Sequence, residues 1–160
     1  RQGDFLDSCP VLIPNGNVLE VTEGNKYQLN ANIVNYNVVV MSQSCDLDNK
    51  KLDFVLVCPH WSLEDFAKQN NYFNSKEGKK QLRQGNIPGY HVLRGCEIEG
   101  QESSTCVVDF RNVYSLPFEF ITNLAHQRGN RLRLLPPYRE HLSQAFARFF
   151  MRVGLPVPLE

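Results

Sequence analysis

The hydrophobic pattern divides the chain into stretches of strand-like and helix-like period. Apolar residues in "CPVLIP" and "NVLEVTE" flank Asn15-Gly16, and an Asn-Gly pair between such runs predicts a hairpin. "KYQLNANIVNYN" alternates loosely into "VVVM", and "DFVLVC" follows after a polar interval. Short apolar runs rich in β-branched residues mark buried strands, so these two are expected as antiparallel neighbours at the centre of a sheet.

The period changes at Ser62. "SLED" has the form of a capping box, with Ser62 as N-cap and Asp65 three residues on, and predicts a helix to about Asn70. "SKEGKKQLRQG" predicts a second helix, with Gly78 inside it and Gly85 as its stop. Strand character returns in "YHVLRGCEI" and "TCVVDFRNVYSL", parted by the polar turn "EGQESS". "PFEFITNLAHQRGN" reads as a helix from Pro117 to near Gly129, and "RLRLL" as a short strand.

The clearest element is the last. Leu142, Ala145, Phe146, Phe149, Phe150 and Val153 fall on one face of a helix opened by "PP" and stopped by "GLP". Arg139, Arg148 and Arg152 lie off that stripe. The expected architecture is one α+β domain over residues 1–160, β-rich in 1–61 and 90–135. A helical insertion occupies 62–85 and an amphipathic helix 137–153.

Composition narrows the function classes. A chain of 160 residues fits one domain and can build a core without disulfide staples. No apolar run approaches the roughly 18 residues of a membrane span, and "RQGDFLD" reads as neither a signal nor a transit peptide. The chain shows no initiator Met. Lys and Arg total 17 against 17 Asp and Glu, which lacks the basic excess of a dedicated nucleic-acid binder. Five widely spaced cysteines without a CxxC pair fit reduced thiols, hence a cytoplasmic protein.

Candidate chemistry concentrates in "SQSCDL" and just past "DFVLVC". Cys45, Asp46 and His60 form a candidate catalytic set, because an imidazole beside a thiol can generate a thiolate nucleophile. Cys58-x-His60, with Cys9, Cys96, Cys106 or His91, contains zinc-type ligands, but the spacing matches no standard signature and no metal is expected. The bland readings are a core thiol for Cys58 and a turn cysteine for Cys45, with Asp46 accepting local hydrogen bonds.

Lys76, Lys79, Lys80 and Arg83 are a candidate nucleic-acid face on the middle helix, with His91, Arg94, Arg128, Arg131 and Arg133 as further cations. Tyr72, Phe73 and Trp61 could stack on bases or cap the core. Asp109 and Arg111 are expected as an exposed pair on a strand.

The series "QGDF", "VVVMSQ", a polar turn and "FVLVCP" resembles the PemK/MazF group of small SH3-like antiparallel β-barrels. "SQSCDL", with the late "NRLRLLPPYREHLSQAFARFF", more closely resembles uncharacterised bacterial proteins carrying an SQxCDL-type motif. The first resemblance implies an SH3-like barrel elaborated by helices and a metal-independent ribonuclease, with an Arg ahead of the central strand and a Thr after the next. Here "NIVNY" and "PHWS" stand in those places. His60 or Ser62 replaces the Thr in part, but the cation that would stabilise a developing phosphorane is missing.

The expectation is therefore a non-catalytic accessory module of a bacterial multi-component system, of defence or toxin–antitoxin type. It has a protein partner, needs no cofactor and has no membrane association. A PemK/MazF-like endoribonuclease, with RNA as partner, is the alternative.

Overall fold

A computed structural model describes residues 1–15, 20–22, 26–28, 30–96 and 104–151. Its centre is the strand pair that the apolar runs predict. β1 (Phe5–Pro14), β2 (Glu20–Thr22), β3 (Lys26–Gln28) and β4 (Ala31–Val40) precede a short helix α1 (Ser44–Asp48) and β5 (Phe54–Ser62). Val38, Val39 and Val40 lie opposite Pro59, Cys58 and Val57, and all six are buried.

A helical stretch follows, α2 (Leu63–Gln69), α3 (Asn71–Asn74) and α4 (Lys76–Arg83). The chain returns through β6 (Tyr90–Leu93), β7 (Cys106–Asp109) and β8 (Tyr114–Pro117), then α5 (Phe118–Arg128) and α6 (Tyr138–Phe150). The main sheet is antiparallel, ordered β1-β4-β5-β7-β6, with β8 beside the first half of β5 and β7 beside its end. Among the described residues no ladder joins β1 to β6, so the sheet is not closed into a barrel.

Both faces of the sheet are covered, which explains why its central strands are continuous apolar runs. On one face Leu6, Val38, Val55 and Val57 pack under Ile121 and Leu124 of α5. On the other, Val39, Cys58, Val108 and Phe110 pack under Leu142 of α6, with Phe146 and Phe149 alongside. The helices α2 to α4 bury Phe66, Phe73 and Leu82 against Tyr90 and Val107. Gly78 is essential there: a Cβ would lie 2.1 Å from the Tyr72 carbonyl oxygen, so no larger residue lets α4 rest on α3.

Several elements depart from expectation. "CPVLIP" belongs to β1 and pairs with β4, whereas β2 pairs with β3. Gly16 of the hairpin signal, most of "EGQESS", Arg152, Val153 and "GLP" lie outside the described residues. "TCVVDFRNVYSL" is two strands, because Asp109 folds back to accept from the Arg111 backbone N–H at 2.8 Å and from Asn112 Nδ2 at 2.9 Å. Asp109 is therefore a buried turn-former and not one of an exposed pair. Phe150, assigned to the buried stripe of α6, is 61% exposed.

"RLRLL" contributes only an antiparallel bridge, Arg133 opposite Asp4. The Phe5 N–H donates to the Leu132 carbonyl and the Leu134 N–H to the Gly3 carbonyl, both at 3.0 Å, which lays residues 131–134 beside the start of β1. Gly3 makes this approach possible with a φ of +80° and a Cβ position 3.0 Å from Leu134 Cβ.

Candidate functional site

The "SQSCDL" stretch is a structural clasp built on α1. Ser42 is buried and its Oγ accepts from the Leu56 N–H at 2.8 Å. Ser44 Oγ accepts from the Gln2 N–H at 3.1 Å, while Gln2 Nε2 donates to the Met41 carbonyl and to Ser143 Oγ, both at 2.9 Å. Leu47 enters the core beneath α5. The motif thus joins the start of the chain to β4, β5 and α6 by filling hydrogen bonds that would otherwise be left unmade at a strand end.

The register separates the candidate catalytic residues. Val40, at the end of β4, faces Val57, so α1 with Cys45 and Asp46 lies toward the start of β5. His60 lies three positions past Val57 in the other direction, a strand length of roughly 10 Å. Cys45 is exposed and its Sγ reaches Gln43 Oε1 at 3.6 Å. Cys58 is wholly buried, and burial, with a smaller contribution from Asp109, pushes its thiol up to about 12. It is a core residue.

His60 has a different neighbourhood. It lies opposite Val108 on the face that α6 covers, in one cross-strand row with His91. The edge of its ring meets Phe5, centroids 5.1 Å apart, and its Nε2 is buried with no hydrogen-bond partner. Burial pulls the imidazole down to about 4 against a weaker upward pull from Asp7. The ring is therefore neutral at pH 7.

His60 lines a cleft of about 770 Å³. It is lined by Phe5, Leu93 and Cys106, by Asn130 to Leu134 beside β1 at one end of the sheet order, and by Arg94 and Cys96 after β6 at the other. Asp7 reaches the rim through a β-bulge: Leu6 faces Val38 but Cys9 faces Tyr36, which leaves one extra residue in β1. Ser8 takes φ +49° there, unusual for a residue with a side chain, while its N–H donates to Asn37 Oδ1 at 3.0 Å.

The 131–134 wall is fixed by charge. Asp4, with 3% of its side chain exposed, accepts from Arg131 Nε at 2.9 Å and from Arg133 Nη2 at 3.0 Å, with a further bond from Arg133 Nε. Burial alone would raise its carboxyl; the bonds from Arg133 and Arg131, and the adjacent amine of Arg1, outweigh that and hold it at about 2. Arg131 also ties to the Ala125 and Gly129 carbonyls at 3.1 Å, so its charge is spent internally.

The remaining candidates fall elsewhere. Lys76, Lys79, Lys80 and Arg83 follow one another along α4 at helical spacing, away from the cleft lining. Of the three aromatics near them, Phe73 is buried, Trp61 half-buried and only Tyr72 exposed, at 49%. Phe73 is thus core, not a stacking platform. Among the described residues no three His, Cys, Asp or Glu side chains converge as metal ligands. No described helix is long and apolar enough to cross a membrane.

No family model, curated protein or solved structure matches the chain. The cleft was only partly legible in the sequence. His60, Arg94, Arg131 and Arg133 stand out as residue types, whereas Asp4 and Asp7 acquire their roles from a glycine approach and a bulge.

The unpartnered imidazole has a measurable consequence. The folded state resists protonation of His60, so its contribution is complete above pH 6.5 and is lost as pH falls through 6.5 toward 4. The shift from 6.5 to about 4 corresponds to roughly 3 kcal/mol. Urea unfolding of the wild type should weaken over that interval, and His60→Leu should have a shallower slope. Identical slopes would place His60 in water.

Proposed function

We propose that the protein is a non-catalytic binding module, an accessory subunit of a bacterial multi-component system, and that its partner occupies the cleft at His60. The observation that carries this reading is the cleft's chemistry. It sets the exposed guanidinium of Arg94 beside the apolar residues Phe5, Leu93 and Leu134, around a volume of ligand size. Yet Cys106, one of two cysteines that line it, is held as a thiol: desolvation pushes it up to about 12. Neither Cys45 nor Asp46 lines it.

The scaffold is read as an SH3-like barrel left open between the 131–134 wall and β6. The division of β5 between β8 and β7 supports this. The cytoplasm is the compartment that suits its cysteine composition.

A second reading, a metal-independent ribonuclease, has one observation in its favour. The cation missing ahead of β4 in sequence is supplied in space, since Arg94 lines the same cleft as His60. Two measurements separate the readings. A panel of small carboxylates, phosphates and capped dipeptides, followed by NMR, should shift resonances clustered at His60, Leu93, Arg94 and Leu134. Unclustered or absent shifts would remove the cleft as a site. Mixed-sequence RNA incubated with the protein in EDTA should stay intact; cleavage that disappears in His60→Ala would replace the first reading with the second.

A further inference from the structure

We infer that the partner enters the cleft as an extended peptide that adds a strand to the exposed edge at Arg131 and Arg133. The inference rests on the binding-module reading and specifies its ligand.

The edge follows from the hydrogen-bond register. Phe5 bonds to Leu132 and Gly3 to Leu134, which makes Asp4 and Arg133 a non-hydrogen-bonded pair. In an antiparallel pair, the N–H and C=O of such a residue point away from the partner strand. Those of Arg133, and of Arg131 two residues before, therefore face outward, and neither residue's backbone has a bond within the described residues. Four groups at strand spacing border the cleft of about 770 Å³. An open edge of this kind is a template for a further strand.

The side chains restrict what can be added. Strand alternation puts Leu132 and Leu134 on one face of the edge, and Leu134 joins the cluster of Phe5, Leu93 and Cys106. Inward-facing residues of the incoming strand must be apolar to cover that floor. The side chains of Arg131 and Arg133 go to Asp4 on the other face. Across the cleft Arg94 is exposed and has no acidic partner among the described residues. An unopposed guanidinium at the far wall selects a carboxylate. A polyanion fits less well, because Asp7 and Asp65 share the rim. The ligand is thus an extended segment of a partner protein with alternating apolar residues and an acidic side chain.

The test uses the full chain and a display library of random short peptides. Selected peptides should carry an acidic residue beside an apolar alternation and bind Arg94→Glu about tenfold more weakly. N-methylation of the peptide should weaken binding about tenfold at every second position, where an amide meets the edge, and little in between. Exchange of the Arg133 backbone amide should slow on binding. Peptides that tolerate N-methylation at all positions would overturn strand addition. So would a failure to recover any peptide while small fragments still shift His60 and Arg94, and in that case the binding-module reading stands. If neither fragments nor peptides bind, both fall together.

Discussion

Phe110→Ala is expected to lower the unfolding free energy by about 4 kcal/mol, in the range for a fully buried aromatic. Phe110 has no exposed surface and joins three elements. Its ring lies 5.4 Å from Phe146 and 6.3 Å from Phe149 of α6, and 6.2 Å from His91 of β6. Truncation removes the ring's transfer free energy and leaves a cavity between sheet and helix that Val108 and Leu142 cannot fill by small shifts. Phe110→Leu keeps most of the volume and should cost less than half as much. Urea denaturation followed by circular dichroism measures both, with an unchanged slope showing that the same surface unfolds. A loss below about 1 kcal/mol for the alanine variant would mean that α6 is not docked on this face.

That α6 would cover a sheet was legible in its sequence, because a helical stripe from Leu142 to Phe149 survives any arrangement of the strands. The central pair was legible for the same reason: the valines from Val38 to Val40 and at Val55 and Val57 can only be buried. The capping signal at Ser62 also acted locally, its side chain accepting from the Asp65 backbone N–H at 3.0 Å. What was not legible depends on distant residues. "SQSCDL" read as a structured turn that also held candidate reactive residues, because serine, cysteine and aspartate suit both uses. Its use as a clasp depends on Gln2 and Ser143, 141 positions apart.

The cleft was hidden for a related reason. A bulge at Asp7-Ser8 has no glycine to announce it, so a Ser at φ +49° reads in sequence as one more strand residue. "RLRLL" signals alternation, but not that both arginines would converge on a carboxylate that precedes them by 127 and 129 positions. His60, conversely, was noticed for the wrong partner. The register of β4 against β5 carries Cys45 away from it and brings Phe5 and Asp7 into its neighbourhood.

Asp4→Asn is expected to cost about 3 kcal/mol and to loosen the wall that the proposed strand needs. The neutral amide keeps the shape of the carboxylate but leaves Arg131 and Arg133 facing a group that can also donate. Their side chains are 29% and 38% exposed, so water relieves part of the penalty, which places the cost at the low end for a broken buried pair. The charge part can be isolated by pH. Asp4 titrates at about 2 in the folded chain against 3.8 ordinarily, so its contribution is complete above pH 3.8 and disappears as pH falls through 2. The gap between wild type and Asp4→Asn should hold constant from pH 7 to 5 and narrow steadily below 4. A gap that ignores pH would mean that Asp4 acts through packing alone. A gap that narrows, together with weakened fragment shifts at Leu134 in the variant at pH 7, would mean that one buried charge holds both the edge and the cleft.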